Sequence, residues 1–260
     1  AEVRAGGAEI GQGLVGVVVQ VTAEELGLPF KKVKALMSDT DLTPDGGPTT
    51  ASRQTYTSGN AARLAAGRVR EILLGVASER FDVSPKSLRF HEGVISHNGE
   101  SVPLGEAVKW TKEDGLEAKA RVMYEAPETQ PLGDPGDMHF AYSYASQAAL
   151  VEVDTGTGEV KVIRIVGAFD VGRAINPMAL LGQIEGGAAM GLGNCLTEEF
   201  ITEDGHVITD RLGQYKMPGI KHMPEFVTHI IEEETEEGPY GPKGVGEISS
   251  IPTSPAITNA

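Results

Sequence analysis

Residues 236–252 read Glu-Glu-Gly-Pro-Tyr-Gly-Pro-Lys-Gly-Val-Gly-Glu-Ile-Ser-Ser-Ile-Pro, and an alternating apolar run, Phe226 to Ile231, leads into them. The run reads as a strand. The segment after it is a Gly/Pro-rich loop, and Gly238–Ser250 holds a single lysine, Lys243, and a single acid, Glu247, just past Gly244-Val245-Gly246. Closely spaced glycines let a backbone approach a ligand and aim its N–H groups at it. A carboxylate carried there can take a proton from something bound against that backbone. The competing reading is a solvated surface turn, since turns are built from the same residue types.

Upstream of this loop the chain alternates strands and helices. Residues 1–10 predict a strand, 14–26 a helix ended by Gly27 and Pro29, and Val33–Ser38 a second strand. The β-branched residues at 17–19 and 21 leave a strand open over 14–26. A loop at 39–57 precedes a helix from Ser58, with Ala62, Ala65, Val69, Ile72/Leu73 and Val76 on one face. A hairpin about Asn98-Gly99 and a short helix, Leu104–Lys112, follow. Past a Pro/Gly-rich passage at 123–138, Ala148–Val153 and Val160–Ala168 predict two strands joined through Asp154–Gly158. Asn176-Pro177 predicts a helix start, the glycines of 182–193 predict close packing on another backbone, and a hairpin is expected about Asp204-Gly205. Glu232–Glu237 reads as a solvated acidic loop. The order argues α+β with two subdomains, 1–125 and 126–260. Ala1-Glu2-Val3 falls inside a strand pattern and Asn259-Ala260 in the first turn of a helix pattern, so a fragment or part of a subunit is expected.

The net charge of −15, with no Lys/Arg block, argues against nucleic acid and anionic membranes as partners. No apolar run reaches the length of a membrane span, and no signal peptide is expected. The single Cys195 excludes an internal disulfide and a cysteine-ligated iron–sulfur or zinc site within this chain. No His/Cys/carboxylate cluster has the spacing of a direct metal site. A reducing cytoplasm is the expected setting.

Three further stretches carry possible chemistry. Glu9-Ile10-Gly11-Gln12-Gly13 sits at a strand-to-helix junction, where two glycines and an amide can meet an anionic or amide-bearing ligand; a tight turn is the alternative. It lacks the spacing of a dinucleotide or phosphate loop. Thr49-Thr50-Ala51-Ser52-Arg53-Gln54 closes the long loop, its Ser52, Arg53 and Gln54 offering donors beside a helix start, a natural place for phosphate; a surface loop with Ser/Thr caps is the alternative. Gly182-Gln183-Ile184-Glu185-Gly186-Gly187 puts several glycines inside a helical pattern, each costing about 1 kcal/mol against alanine, which suggests a packing or ligand constraint.

Taken in order, Glu-Ile-Gly-Gln-Gly, Ala-Ser-Arg-Gln, Asp-Val-Gly-Arg-Ala-Ile-Asn-Pro with Gly-Gln-Ile-Glu-Gly, and Lys-Gly-Val-Gly-Glu make the chain resemble the C-terminal molybdenum-cofactor-binding half of the xanthine dehydrogenase/aldehyde oxidase family of molybdenum hydroxylases. The likeness covers nearly the whole chain. It implies an α+β fold of two-layer sheet-and-helix subdomains and a molybdenum held by the pterin dithiolene, with no direct side-chain ligand. It implies Ile10, Gly11 and Gln12 at the pterin, and Ala51, Ser52 and Gln54 at the pterin or its phosphate. Arg53 would meet the extension of a cytosine-dinucleotide form, and Gln183 would hydrogen-bond the pterin. Glu247 would be the catalytic base, taking the proton of a metal-bound hydroxyl whose oxygen attacks an electrophilic carbon. Lys243, Val245 and Gly246 would form its supporting loop. The resemblance implies hydroxylation of an N-heteroaromatic, purine-like substrate or an aldehyde. It also implies partners: the N-terminal half of the molybdenum-binding subunit, and iron–sulfur clusters and FAD in other domains or subunits of an oligomer. A non-catalytic scaffold or assembly module of the same fold is the second reading, and an unrelated nucleotide-binding protein the third. The carbon-monoxide-oxidising branch carries an active-site cysteine; 39–57 has none, and that branch is not expected.

Overall fold

The computed structural model describes residues 1–260, which divide into two compact units: Ala1–Phe140 with Glu237–Pro239, and Ala141–Glu236 with Tyr240–Ala260. No helix is long and apolar enough to cross a membrane.

The first unit opens with β1 (Glu2–Ala5), α1 (Leu14–Glu25) and β2 (Lys34–Met37), the two strands pairing in parallel. The run of valines forms a helix because its stripe has somewhere to go. Leu14 and Val18 pack on Ala62, and Val19 and Ala23 on Val33, which outweighs the modest helix penalty of β-branching. Gly27 ends the helix at φ 53°: its N–H reaches Glu24 O at 3.1 Å and the Leu28 N–H reaches Ala23 O at 2.8 Å. The long helix α2 (Gln54–Phe81) begins before the expected Ser58, because Gln54 is itself buried and the Thr57 N–H already bonds Arg53 O at 2.9 Å. Instead of one hairpin there is a three-stranded sheet, β3 (Arg89–His91), β4 (Val94–His97) and β5 (Glu100–Pro103), turning at Glu92-Gly93 and Asn98-Gly99. With α3 (Leu104–Glu113) it closes a core of Leu73, Ala77, Ile95, Val102 and Ala107.

The second unit is a sheet with helices packed on it. Strands β6 (Tyr144–Val153) and β7 (Val160–Asp170) pair antiparallel around the Asp154 turn, whose Oδ1 accepts the Gly156 and Thr157 N–H groups. Helix α4 (Pro177–Leu196) starts as expected, with Asn176 Oδ1 accepting the Ala179 N–H at 3.1 Å. The expected hairpin shrinks to β8 (Thr202–Glu203) and β9 (His206–Val207), since the Glu198 and Glu199 N–H groups bond Gly193 O at 2.9 Å and the carbonyl of Tyr215, in α5 (Leu212–Tyr215), at 3.1 Å rather than a partner strand. Strand β10 (Glu225–Ile231) then joins β7 in parallel, giving the order β10-β7-β6. Helices α4 and α6 (Thr253–Asn259) cover the sheet through Val162, Ile165, Leu192 and Ile257.

Of the α4 glycines, Gly187 and Gly191 pack on the 249–253 segment, whereas Gly182 and Gly186 face open space. A Cβ at Gly187 would lie 2.0 Å from Ser249 Oγ, and one at Gly191 2.6 Å from Thr253 Cβ and 2.8 Å from Ser250 O. The acidic run after β10 is not simply solvated. Glu232 Oε1 accepts the Ala174 N–H at 2.8 Å, and the Thr235 N–H bonds Gly241 O at 3.1 Å, so it straps the loop that follows.

Candidate functional site

In the first unit the two motif loops are stitched together. The Ala8 N–H donates to Thr49 Oγ1 at 2.8 Å, and Ser38 Oγ donates to Gly7 O at 2.8 Å. Gly7 is needed because a Cβ there would meet Gln54 Oε1 at 2.6 Å. Gln54 braces this contact: its amide donates to Pro48 O at 3.2 Å and its Oε1 accepts from Ser58 Oγ at 2.5 Å. Thr49 opens the second motif; the fold adds that its hydroxyl joins that motif to the first.

The Gly11–Gly13 amides are organised by Glu9. Its Oε1 accepts the Gly11 and Gly13 N–H groups at 2.9 and 3.0 Å, and its Oε2 accepts Val15 N–H at 2.9 Å. Gln12 closes the same turn, accepting from Ile10 N–H at 2.7 Å and donating to Ala8 O at 2.7 Å. Burial alone would raise the Glu9 pKa, but the backbone N–H bonds from Val15, Gly13 and Gly11 outweigh it and hold the carboxyl below its ordinary value. A lowered carboxylate contributes stability that is present above its unfolded pKa and lost as pH falls through the folded one. Glu9→Gln is therefore expected to cost about 1 kcal/mol at pH 7, the usual worth of a helix N-terminal cap. Thermal melts should show that gap closing as pH drops below about 4.

Ala51 and Ser52 both lie in the left-handed region, at φ 52° and 49°, directly before α2. Arg53, the N-cap residue of α2, makes no side-chain capping bond. Arg53 is held by its Nε–H on Pro48 O at 2.9 Å. Ile10, in the turn organised by Glu9 and Gln12, stands 82% exposed.

In the second unit the other two motifs converge. Gln183 is half-buried on α4, and its neighbour Ile184 forms with Phe169 and Val171 the buried cluster on which Val245 and Ile248, on either side of Glu247, pack. Ser249 fills the space over Gly187. Glu247 is exposed at the head of a turn, where its carbonyl accepts the Ser250 and Ile251 N–H groups at 3.1 and 3.4 Å. Lys243 is buried and its ammonium lies 2.5 Å from Asp170 Oδ2; Gly246 is exposed. Asp170 belongs to the quoted Asp-Val-Gly-Arg stretch, but no spacing rule pairs it with a lysine so far downstream.

A cleft of about 570 Å³ lies elsewhere in the second unit, lined by residues including Cys195, Glu198, Lys216 and His222. Cys195 is twelve positions beyond Gln183 on α4, roughly 18 Å along the axis at 1.5 Å per residue. Burial raises the Cys195 thiol pKa, which disfavours the nucleophilic thiolate.

Residues 1–224 match the family model of the molybdopterin cofactor-binding domain. The chain belongs to this family, the cofactor-binding domain of the molybdenum hydroxylases. The γ subunit of the 6-hydroxypseudooxynicotine dehydrogenase complex of Paenarthrobacter nicotinovorans is 34% identical over 262 residues, covering 99% of this chain and 32% of that protein. One subunit of a probable xanthine dehydrogenase from Bacillus subtilis is 35% identical over 253 residues, covering 97% and 33%. The crystal structure of a Cu,Mo-containing carbon monoxide dehydrogenase superposes with a TM-score of 0.84 at 25% identity, covering 98% of this chain and 32% of that one. The chain thus spans about a third of the relatives it matches. These relatives are oxidoreductases, and the α+β expectation stands.

Proposed function

We propose that this chain is the part of a molybdenum hydroxylase subunit that holds the pterin cofactor and supplies the catalytic base, acting on an N-heteroaromatic, purine-like substrate or an aldehyde. The observation that carries the reading is the clamp of the Glu247 turn onto α4 beside Gln183.

The residues present fit an anionic pterin. The N-terminus of α2, where Arg53 makes no side-chain capping bond, and the left-handed Ala51-Ser52 pair before it suit a phosphate. Cβ positions at Gly11 and Gly13, and at Gly182 and Gly186, have nothing within 4 Å, so the backbone beside Gln12 and Gln183 is open to close approach. Ile10 offers an apolar surface to a ring. In this reading Ile10, Gly11 and Gln12, with Ala51, Ser52 and Gln54, serve the pterin and its phosphate. Arg53 meets a cytosine-dinucleotide extension, Gln183 hydrogen-bonds the pterin, and Val245 and Gly246 support the Glu247 loop.

Molybdenum, when bound through the pterin, supplies the oxygen-transfer and two-electron chemistry. The chain's own part is proton transfer and positioning. A Glu247 carboxylate oxygen accepts the proton released as oxygen passes to an electrophilic carbon, and returns it to solvent, to which it is exposed. Lys243 holds the loop in place. Iron–sulfur and FAD centres in partner domains or subunits would accept the electrons.

Molybdenum and pterin content tests the binding role. A hydrogen bond to a charged group is worth about 1.5–3 kcal/mol, so Gln12→Ala and Ser52→Ala should each weaken cofactor binding roughly tenfold to a hundredfold. Unchanged molybdenum content in both variants, with activity lost, contradicts that role.

A further inference from the structure

The loop that carries Glu247 is anchored on the end of β7 by a charge pair. Lys243 Nζ lies 2.5 Å from Asp170 Oδ2, with side chains 8% and 14% exposed. The Tyr144 ring on β6 covers the ammonium, its centroid 5.7 Å from Nζ. Asp170 Oδ1 also accepts the Gly172 N–H at 3.2 Å. Main-chain bonds run beside the pair: the Lys243 N–H donates to Val171 O at 2.8 Å, and the Arg173 N–H to Gly241 O at 3.0 Å.

Such a pair is a poor source of stability, because desolvating two charges costs about what their attraction returns. Two apolar side chains would fill the same space as well. A charge pair instead admits few alternatives: if the loop slipped along β7, an ammonium and a carboxylate would both be left buried and unpaired. Ser143 Oγ also donates to Gly244 O at 2.7 Å and Gln147 Nε2 to Ser249 O at 3.1 Å, but the charge pair is the hold that a slipped register would leave buried and unpaired, and Glu247 is only four residues beyond Lys243.

We propose that Asp170 is a positioning residue, which acts through Lys243 to fix the 244–247 segment and with it the Glu247 carboxylate. The proposal rests on the reading of Glu247 as the base. The test uses the assembled enzyme carrying Asp170→Asn, or Asp170→Leu with Lys243→Met. The double variant removes both charges and keeps apolar volume, so it guards against a result that reflects misfolding. Amide hydrogen exchange over 244–250, molybdenum content, and kcat and KM for xanthine and benzaldehyde are measured. The double variant is expected to retain molybdenum and to melt near the native temperature, while exchange over 244–250 quickens roughly tenfold or more. Turnover should fall through kcat with KM held. Native exchange over 244–250 in the double variant overturns the proposal. Faster exchange with native kcat leaves the anchor in place and removes Glu247 from the chemistry, so the two failures are told apart.

Discussion

Replacing Glu247 with glutamine in the assembled enzyme is expected to lower kcat by about 10²- to 10⁴-fold, the range associated with a general base, or to abolish detectable turnover. Glutamine keeps the shape and the hydrogen-bonding reach of glutamate but cannot accept the proton. The turn itself should survive, because it is made by the Glu247 carbonyl bonding Ser250 and Ile251, and by Val245 and Ile248 packing on the cluster of Phe169, Val171 and Ile184. Molybdenum and pterin content should therefore remain at the native level. Loss of the cofactor along with activity would make Glu247 a structural residue, and native turnover would remove it from the chemistry.

Adjacent glycines of α4 are expected to respond with opposite signs. Alanine at either position removes a glycine from a helix, a gain of about 1 kcal/mol where there is room. At Gly186 nothing lies within 4 Å of the new methyl group. At Gly187 the methyl would sit 2.0 Å from Ser249 Oγ and 2.6 Å from Ser249 Cβ, and Ser249 and Thr253 are both 0% exposed. The segment must move off the helix, and overpacking of this kind costs about 1–3 kcal/mol. Thermal denaturation should show Gly186→Ala raising Tm by about 2–4 °C and Gly187→Ala lowering it by a comparable or larger amount. Equal shifts of the same sign would mean that the 249–253 segment does not rest on α4 as described.

Local order was legible where one short stretch determines it. Gly27 with Pro29 marked the end of α1, and Asn176-Pro177 the start of α4, because capping depends on a few consecutive residues. The alternation at 226–231 marked β10 for the same reason. Long-range pairing was not legible. Thr49 meets Ala8 across 41 positions, and Lys243 meets Asp170 across 73, and neither pair has a periodicity to reveal it. The start of α2 was misplaced because Gln54, a polar residue, is buried by contacts with Gly7 and Ser58 that come from the fold. The run at 232–237 looked merely solvated because charge says nothing about where its backbone bonds go. The four motifs were recognisable by their order; their convergence in pairs, one pair within each unit, belongs to the fold.

The most direct test is the ratio of molybdenum and pterin to this chain in the purified native complex, measured for the native protein and for Gln12→Ala and Gln183→Ala, one substitution in each unit. The account predicts one molybdenum and one pterin per chain, both falling together in each variant. A native complex without pterin, or variants that keep their full cofactor content, would contradict it.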